Sequence, residues 1–65
     1  MGAEPTLSVV ICTRDRPRLL RRCIAAVAAQ DLDATIETIV VFDREEPDRT
    51  LEVPDGPRPV RVVAN

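Results

Sequence analysis

The chain has 65 residues and a net charge of −2, with nine basic residues, all arginine, no histidine, and Phe42 as its single aromatic residue. That length permits one small domain, near the size at which a single core becomes marginal, and the many aliphatic residues argue against a disordered chain. Two cysteines without a histidine do not make a zinc site, the acidic total speaks against indiscriminate nucleic-acid binding, and no apolar run reaches membrane-spanning length.

Met1-Gly2-Ala-Glu-Pro-Thr6 formally fits the N-myristoylation pattern, which is short and often matched by chance. Residues 1–6 are read as a flexible lead-in. Leu7 to Thr13 is a nearly continuous β-branched apolar run, the pattern of a strand covered on both faces. Arg14-Asp15-Arg16 forms a polar turn, and Pro17 opens a helix predicted to run to Gln30. Asp15 or Arg16 takes the capping position, and Asp15 suits it better chemically because its carboxylate can accept the free N–H groups of the first turn; a ligand contact is the competing reading for Asp15. Leu20, Cys23, Ile24 and Val27, with Leu19 and Ala28 flanking, recur at helical spacing and mark the buried stripe. Cys12 and Cys23 both lie in apolar patterns and read as reduced, buried thiols. No secretory signal precedes them, and a cytoplasmic location is expected, with membrane association through parts outside this segment as the other reading.

Thr38 to Phe42 is the second predicted strand, ending at Asp43. Residues 44–59 are polar and hold Pro47, Pro54, Pro57 and Pro59, so they read as a soluble loop with at most a helical turn near Thr50–Val53. Val60 to Val63 is a third short strand. Strand, helix, strand in this order predicts a right-handed βαβ unit with parallel strands. One helix covers only one face of such a sheet, so about half of its apolar surface stays open. The segment 7–65 therefore reads as part of a larger α/β domain, incomplete on its own. The uncovered face would take the remainder of that domain or self-associate.

Charge is uneven: residues 1–30 carry five arginines against two acids, and residues 31–65 carry four against nine. Arg14, Arg16, Arg18, Arg21 and Arg22 fall within nine residues, as a solvated helix face or a phosphate-binding patch. No glycine follows the first strand, so the dinucleotide fingerprint and the P-loop are both missing. A nucleotide must be gripped by side chains instead. Thr13, Arg14 and Asp15 leave the first strand and Asp43 leaves the second, at the sheet edge where open α/β sheets bind ligands. A hydroxyl and a carboxylate there can read the imide edge of a uracil or thymine, or a ribose hydroxyl. A guanidinium nearby can neutralise a diphosphate.

Ser8-Val-Val-Ile-Cys-Thr-Arg-Asp-Arg-Pro-Arg-Leu-Leu-Arg-Arg-Cys23, then Ala29-Gln30-Asp31, Ile39-Val-Val-Phe-Asp43 and Val60-Arg-Val-Val-Ala-Asn65, resemble the opening of the family 2 glycosyltransferases. The resemblance implies a GT-A (Rossmann-like) fold, of which this is the amino-terminal βαβ-β part, and transfer of a sugar from a nucleotide-diphospho-sugar to an acceptor. It implies nucleoside contacts for Thr13, Asp15 and Asp43, and Arg14 is the candidate for phosphate. The family's metal-holding D-x-D pair, for manganese or magnesium, and its catalytic base lie downstream and have no counterpart here. No catalytic or metal residue is therefore assigned, and the segment alone is expected to be inactive. Phe42-Asp43-Arg44-Glu45 replaces the family's usual two aspartates and Gly-Ser, leaving the base undetermined. Two other classes remain: a non-catalytic interaction segment derived from such a fold, and a receiver-like signalling module. The latter needs adjacent acids after the first strand, where Cys12-Thr13-Arg14 supplies none.

Overall fold

The computed structural model describes residues 7–31 and 33–65; the predicted lead-in and its lipidation pattern lie outside them. The elements follow in the order β1 (Leu7–Thr13), α1 (Pro17–Ala28), β2 (Ile36–Phe42), a 3₁₀ turn (Arg49–Leu51) and β3 (Val60–Ala64). The three strands form one parallel sheet in the order β1-β2-β3. This is the α/β architecture expected of a βαβ unit extended by a third strand.

Register decides which residues share a face. Leu7 lies beside Ile36, Ile11 beside Val40 and Thr13 beside Phe42, while Val40 lies beside Val62. Alternation along a strand places these on one face, and α1 packs there. Leu20, Val40, Phe42, Val60 and Val62 form the core, with Ile11, Ile24 and Leu51 packed against it. Val40 and Val62 are at most 2 % exposed, and burying each contributes roughly 1.5–2 kcal/mol. The opposite face carries Ser8, Val10, Cys12, Glu37, Ile39, Val41, Arg61 and Val63. No helix covers it among the described residues, and Val10 is 60 % exposed.

Several expectations are corrected. β1 is covered on one face only, so Cys12 is exposed and Cys23 half-buried, and both are free thiols. Leu19, expected to flank the buried stripe, is 51 % exposed. The helix ends at Ala28, with Ala29 as its cap and the Gln30 N–H donating to the Val27 carbonyl. β2 begins two residues earlier than predicted, since the Ile36 N–H pairs with the Pro57 carbonyl at 2.9 Å. Glu37 fits within that strand by lying on the open face, where its carboxylate accepts from the Ser8 hydroxyl at 3.5 Å. β3 extends to Ala64.

The sheet's edges also differ. The outer edge of β3 is closed by residues close in sequence. Val53 and Val60 exchange both backbone hydrogen bonds, the Val62 N–H donates to Glu52, and the Val62 carbonyl accepts from Arg49. Those two side chains pair at 3.5 Å. No strand lies on the outer edge of β1 among the described residues.

Candidate functional site

The parallel strands bring Thr13 and Phe42 side by side, and the two chain segments that leave them are joined at the same edge. The Asp43 N–H donates to the Thr13 carbonyl at 2.9 Å. Two residues further out on each segment, the Asp15 N–H donates to Glu45 Oε2 at 2.7 Å. Both turns are tight: Asp15 has φ 52° and Arg44 φ 60°, the left-handed region that L-residues seldom occupy. Strained backbone of this kind concentrates at functional sites.

The left-handed turn overturns the capping expectation for Asp15. The residue at the helix N-cap is Arg16, the other candidate, and no side chain among the described residues caps α1. Asp15 lies one residue too early, and its N–H is engaged by Glu45. Its carboxylate makes no hydrogen bond among the described residues and remains available.

A cavity of about 180 Å³ opens between this turn, the start of α1 and the loop after β2. Leu20, Phe42, Leu51 and Pro17 supply its apolar lining. Asp15, Glu45, Glu46 and Asp48 supply carboxylates, Arg16 and Arg21 supply guanidiniums, and Thr13 completes the wall. A neighbouring cavity of about 320 Å³ is lined by Thr13, Arg14 and Arg16 together with Ile11, Cys12, Leu19, Leu20 and Cys23. A third hollow of about 400 Å³ lies beside Glu37, Val53 and Arg61, away from the carboxyl ends of the strands.

Thr13 is the most informative member. The residue is only 8 % exposed, and its hydroxyl, which has no hydrogen-bond partner among the described residues, keeps access to solvent. A hydroxyl left open at a cavity wall can meet a ligand atom there. Asp48 behaves differently. Hydrogen bonds from the Thr50 hydroxyl and N–H, with the Arg21 charge nearby, hold its carboxyl below the usual range. It is committed to the 3₁₀ turn.

The four residues anticipated from sequence therefore separate. Thr13 and Asp15 share the smaller cavity, and Arg14 lines the neighbouring one. Asp43 is half-buried and lines neither. It is tied to the site through its N–H, and its carboxylate has no hydrogen bond among the described residues. Glu45 and Glu46 were expected to be soluble loop; the signal that could have found them is their place directly after the strand-end aspartate. Arg18 and Arg22 are exposed and line neither cavity, which fits a solvated helix face.

Among the described residues no group of three or more carboxylates or thiols gathers as a metal would require, and no helix is long and apolar enough to cross a membrane. No curated protein and no solved structure gives a significant match to the chain. The model of the family described as glycosyl transferase family 2 matches residues 8–65, nearly the whole sequence, and the chain belongs to that family.

Proposed function

We propose that this chain holds the nucleoside of a nucleotide-diphospho-sugar, as the nucleotide-binding part of a family 2 glycosyltransferase. The observation that carries the reading is the Thr13 hydroxyl, unpartnered among the described residues and open to solvent, on the wall of a cavity at the carboxyl end of a parallel sheet. Thr13 and Asp15 contact the nucleoside from the cavity, Asp43 contacts it from the strand end, and Arg14 and Arg16 face the diphosphate. Charge sign supports that division. The smaller cavity has four carboxylates against two guanidiniums and repels phosphate, while the neighbouring one has Arg14 and Arg16 and no acid.

The divalent metal that such transferases use finds no ligand set among the described residues, so these residues are assigned binding and no chemical step. The proposal is tested by calorimetric titration with uridine, thymidine and guanosine diphosphates, with inorganic pyrophosphate as the comparison. Saturable binding of at least one nucleotide, tighter than pyrophosphate, is expected. Binding of pyrophosphate as tight as every nucleotide, or of none of them, would remove the nucleoside site.

One observation favours a second reading, an interaction segment. The helix-free face carries Val10, Ile39, Val41 and Val63 in adjacent strands. Concentration-dependent association without nucleotide binding is its signature.

A further inference from the structure

We infer that the outer edge of β1 pairs with β1 of a second copy of this chain, antiparallel and centred on Val10. The backbone sets the pattern. The Leu7 N–H donates to the Thr35 carbonyl, and the Thr13 carbonyl accepts from the Asp43 N–H. Leu7, Val9, Ile11 and Thr13 therefore turn their backbone groups toward β2. Ser8, Val10 and Cys12 alternate with them and aim theirs outward, where no described residue receives them. All three are exposed. The strand holds neither a charge nor a proline, the devices that keep an edge from pairing.

The outward groups are self-complementary, which selects a second copy as the occupant. Turned about a two-fold axis, Val10 faces Val10 of the second copy and Ser8 faces its Cys12. Each such pair exchanges both N–H to carbonyl bonds. The same register keeps the faces in step. Val9 meets Ile11 of the second copy on the helix side, beside a hollow of about 280 Å³ lined by Leu7, Val9, Ala26, Val27 and Ile36. Leu7, 46 % exposed at that hollow, gains cover there. Charge selects the direction. Arg14 and Arg16 stand exposed beyond the carboxyl end of β1. Asp31 and Asp33 stand exposed in the loop that leads to Thr35, at its amino end. Antiparallel approach brings the arginines of each copy toward the aspartates of the other, whereas parallel approach sets arginine beside arginine. Growth stops at two chains, because Val60 and Val62 on the far edge of the sheet are already engaged by Val53, Glu52 and Arg49.

Sedimentation equilibrium over a range of concentrations tests the pairing, with isotope-edited Overhauser spectra on a mixture of labelled and unlabelled chains. The mass is expected to rise from one chain to two, with a contact between the α protons of Val9 and of Ile11 in the other copy, which lie close in a non-hydrogen-bonded antiparallel pair. A chain synthesised with the Val10 peptide nitrogen methylated keeps every bond to β2 and loses the two central bonds. Its association should weaken about a hundredfold. Ile39→Thr alters the helix-free face and not the edge, and should leave association within about twofold. A mass of one chain at every concentration overturns the inference and leaves the edge to a strand of a larger domain or to solvent. Association lost in Ile39→Thr but kept in the methylated chain overturns the edge in favour of face packing, and growth past two chains overturns the closed pair.

Discussion

At the amino end of the sheet, Arg58 donates to the carbonyls of Gln30, Ala34 and Pro57 at 2.6–2.8 Å, joining the exit of α1, the approach to β2 and the approach to β3. At the carboxyl end, Thr13 keeps an unpartnered hydroxyl, Asp15 and Arg44 occupy left-handed backbone, and a cavity separates α1 from the loop after β2. The same sheet is thus stapled at one end and left open, strained and polar at the other. Stability and binding are assigned to opposite ends of the strands, the division expected where loops at strand carboxyl ends carry the ligand.

The most severe way to probe that division is Arg58→Ala. Three carbonyls lose a charged donor, and a loss of about 2–3 kcal/mol is expected. In a chain this small, that lowers the melting temperature by roughly 10–20 °C. Thermal denaturation checks it, and nucleotide affinity of the folded protein should hold. Thr13→Val makes the complementary change. Removing an unpartnered hydroxyl should leave the melting temperature unchanged or slightly higher, while nucleotide affinity falls about tenfold, equivalent to roughly 1.4 kcal/mol. Equal losses of stability and affinity in either variant would break the comparison.

A smaller effect is expected at Arg44. With φ at 60°, Arg44→Gly relieves a cost of about 1–2 kcal/mol, partly offset by the greater freedom of glycine in the unfolded chain. A net gain of about 0.5–1 kcal/mol in a urea titration would confirm the strain. The smallest effect concerns Asp48. Its folded-state pKa lies below the ordinary value of 3.8 because the folded chain hydrogen-bonds the carboxylate. In this range the unfolded chain binds more protons, so the Asp48 contribution is fully present above about pH 4 and lost as pH falls through the folded value. Asp48→Asn should flatten that part of the acid unfolding curve and leave neutral pH behaviour little changed.

Much of this was legible in the residues. The aliphatic runs at 7–13 and 60–63, and Pro17 at the first helical position, located their elements to within a residue or two. Alternation in Ile36-Glu-Thr38 was masked by a charged residue, which the open face tolerates, so the start of β2 was missed. The fate of Asp15 was not legible, because it depends on Glu45, thirty residues away in sequence. Likewise, the separation of Asp43 from the cavity follows from how two turns clasp, which no local pattern records. What sequence supplied was the sheet edge at which these groups meet; which of them share a wall is a tertiary fact.

Amide chemical shifts followed during titration with uridine, thymidine and guanosine diphosphates test the central claim most directly, because they report on both ends of the sheet at once. Saturable shifts concentrated at Thr13, Asp15 and Glu45, with Ala34 and Arg58 nearly still, are the result predicted. Shifts concentrated around Ala34 and Arg58, or none at the carboxyl end at saturating nucleotide, would contradict the assignment of binding to that end.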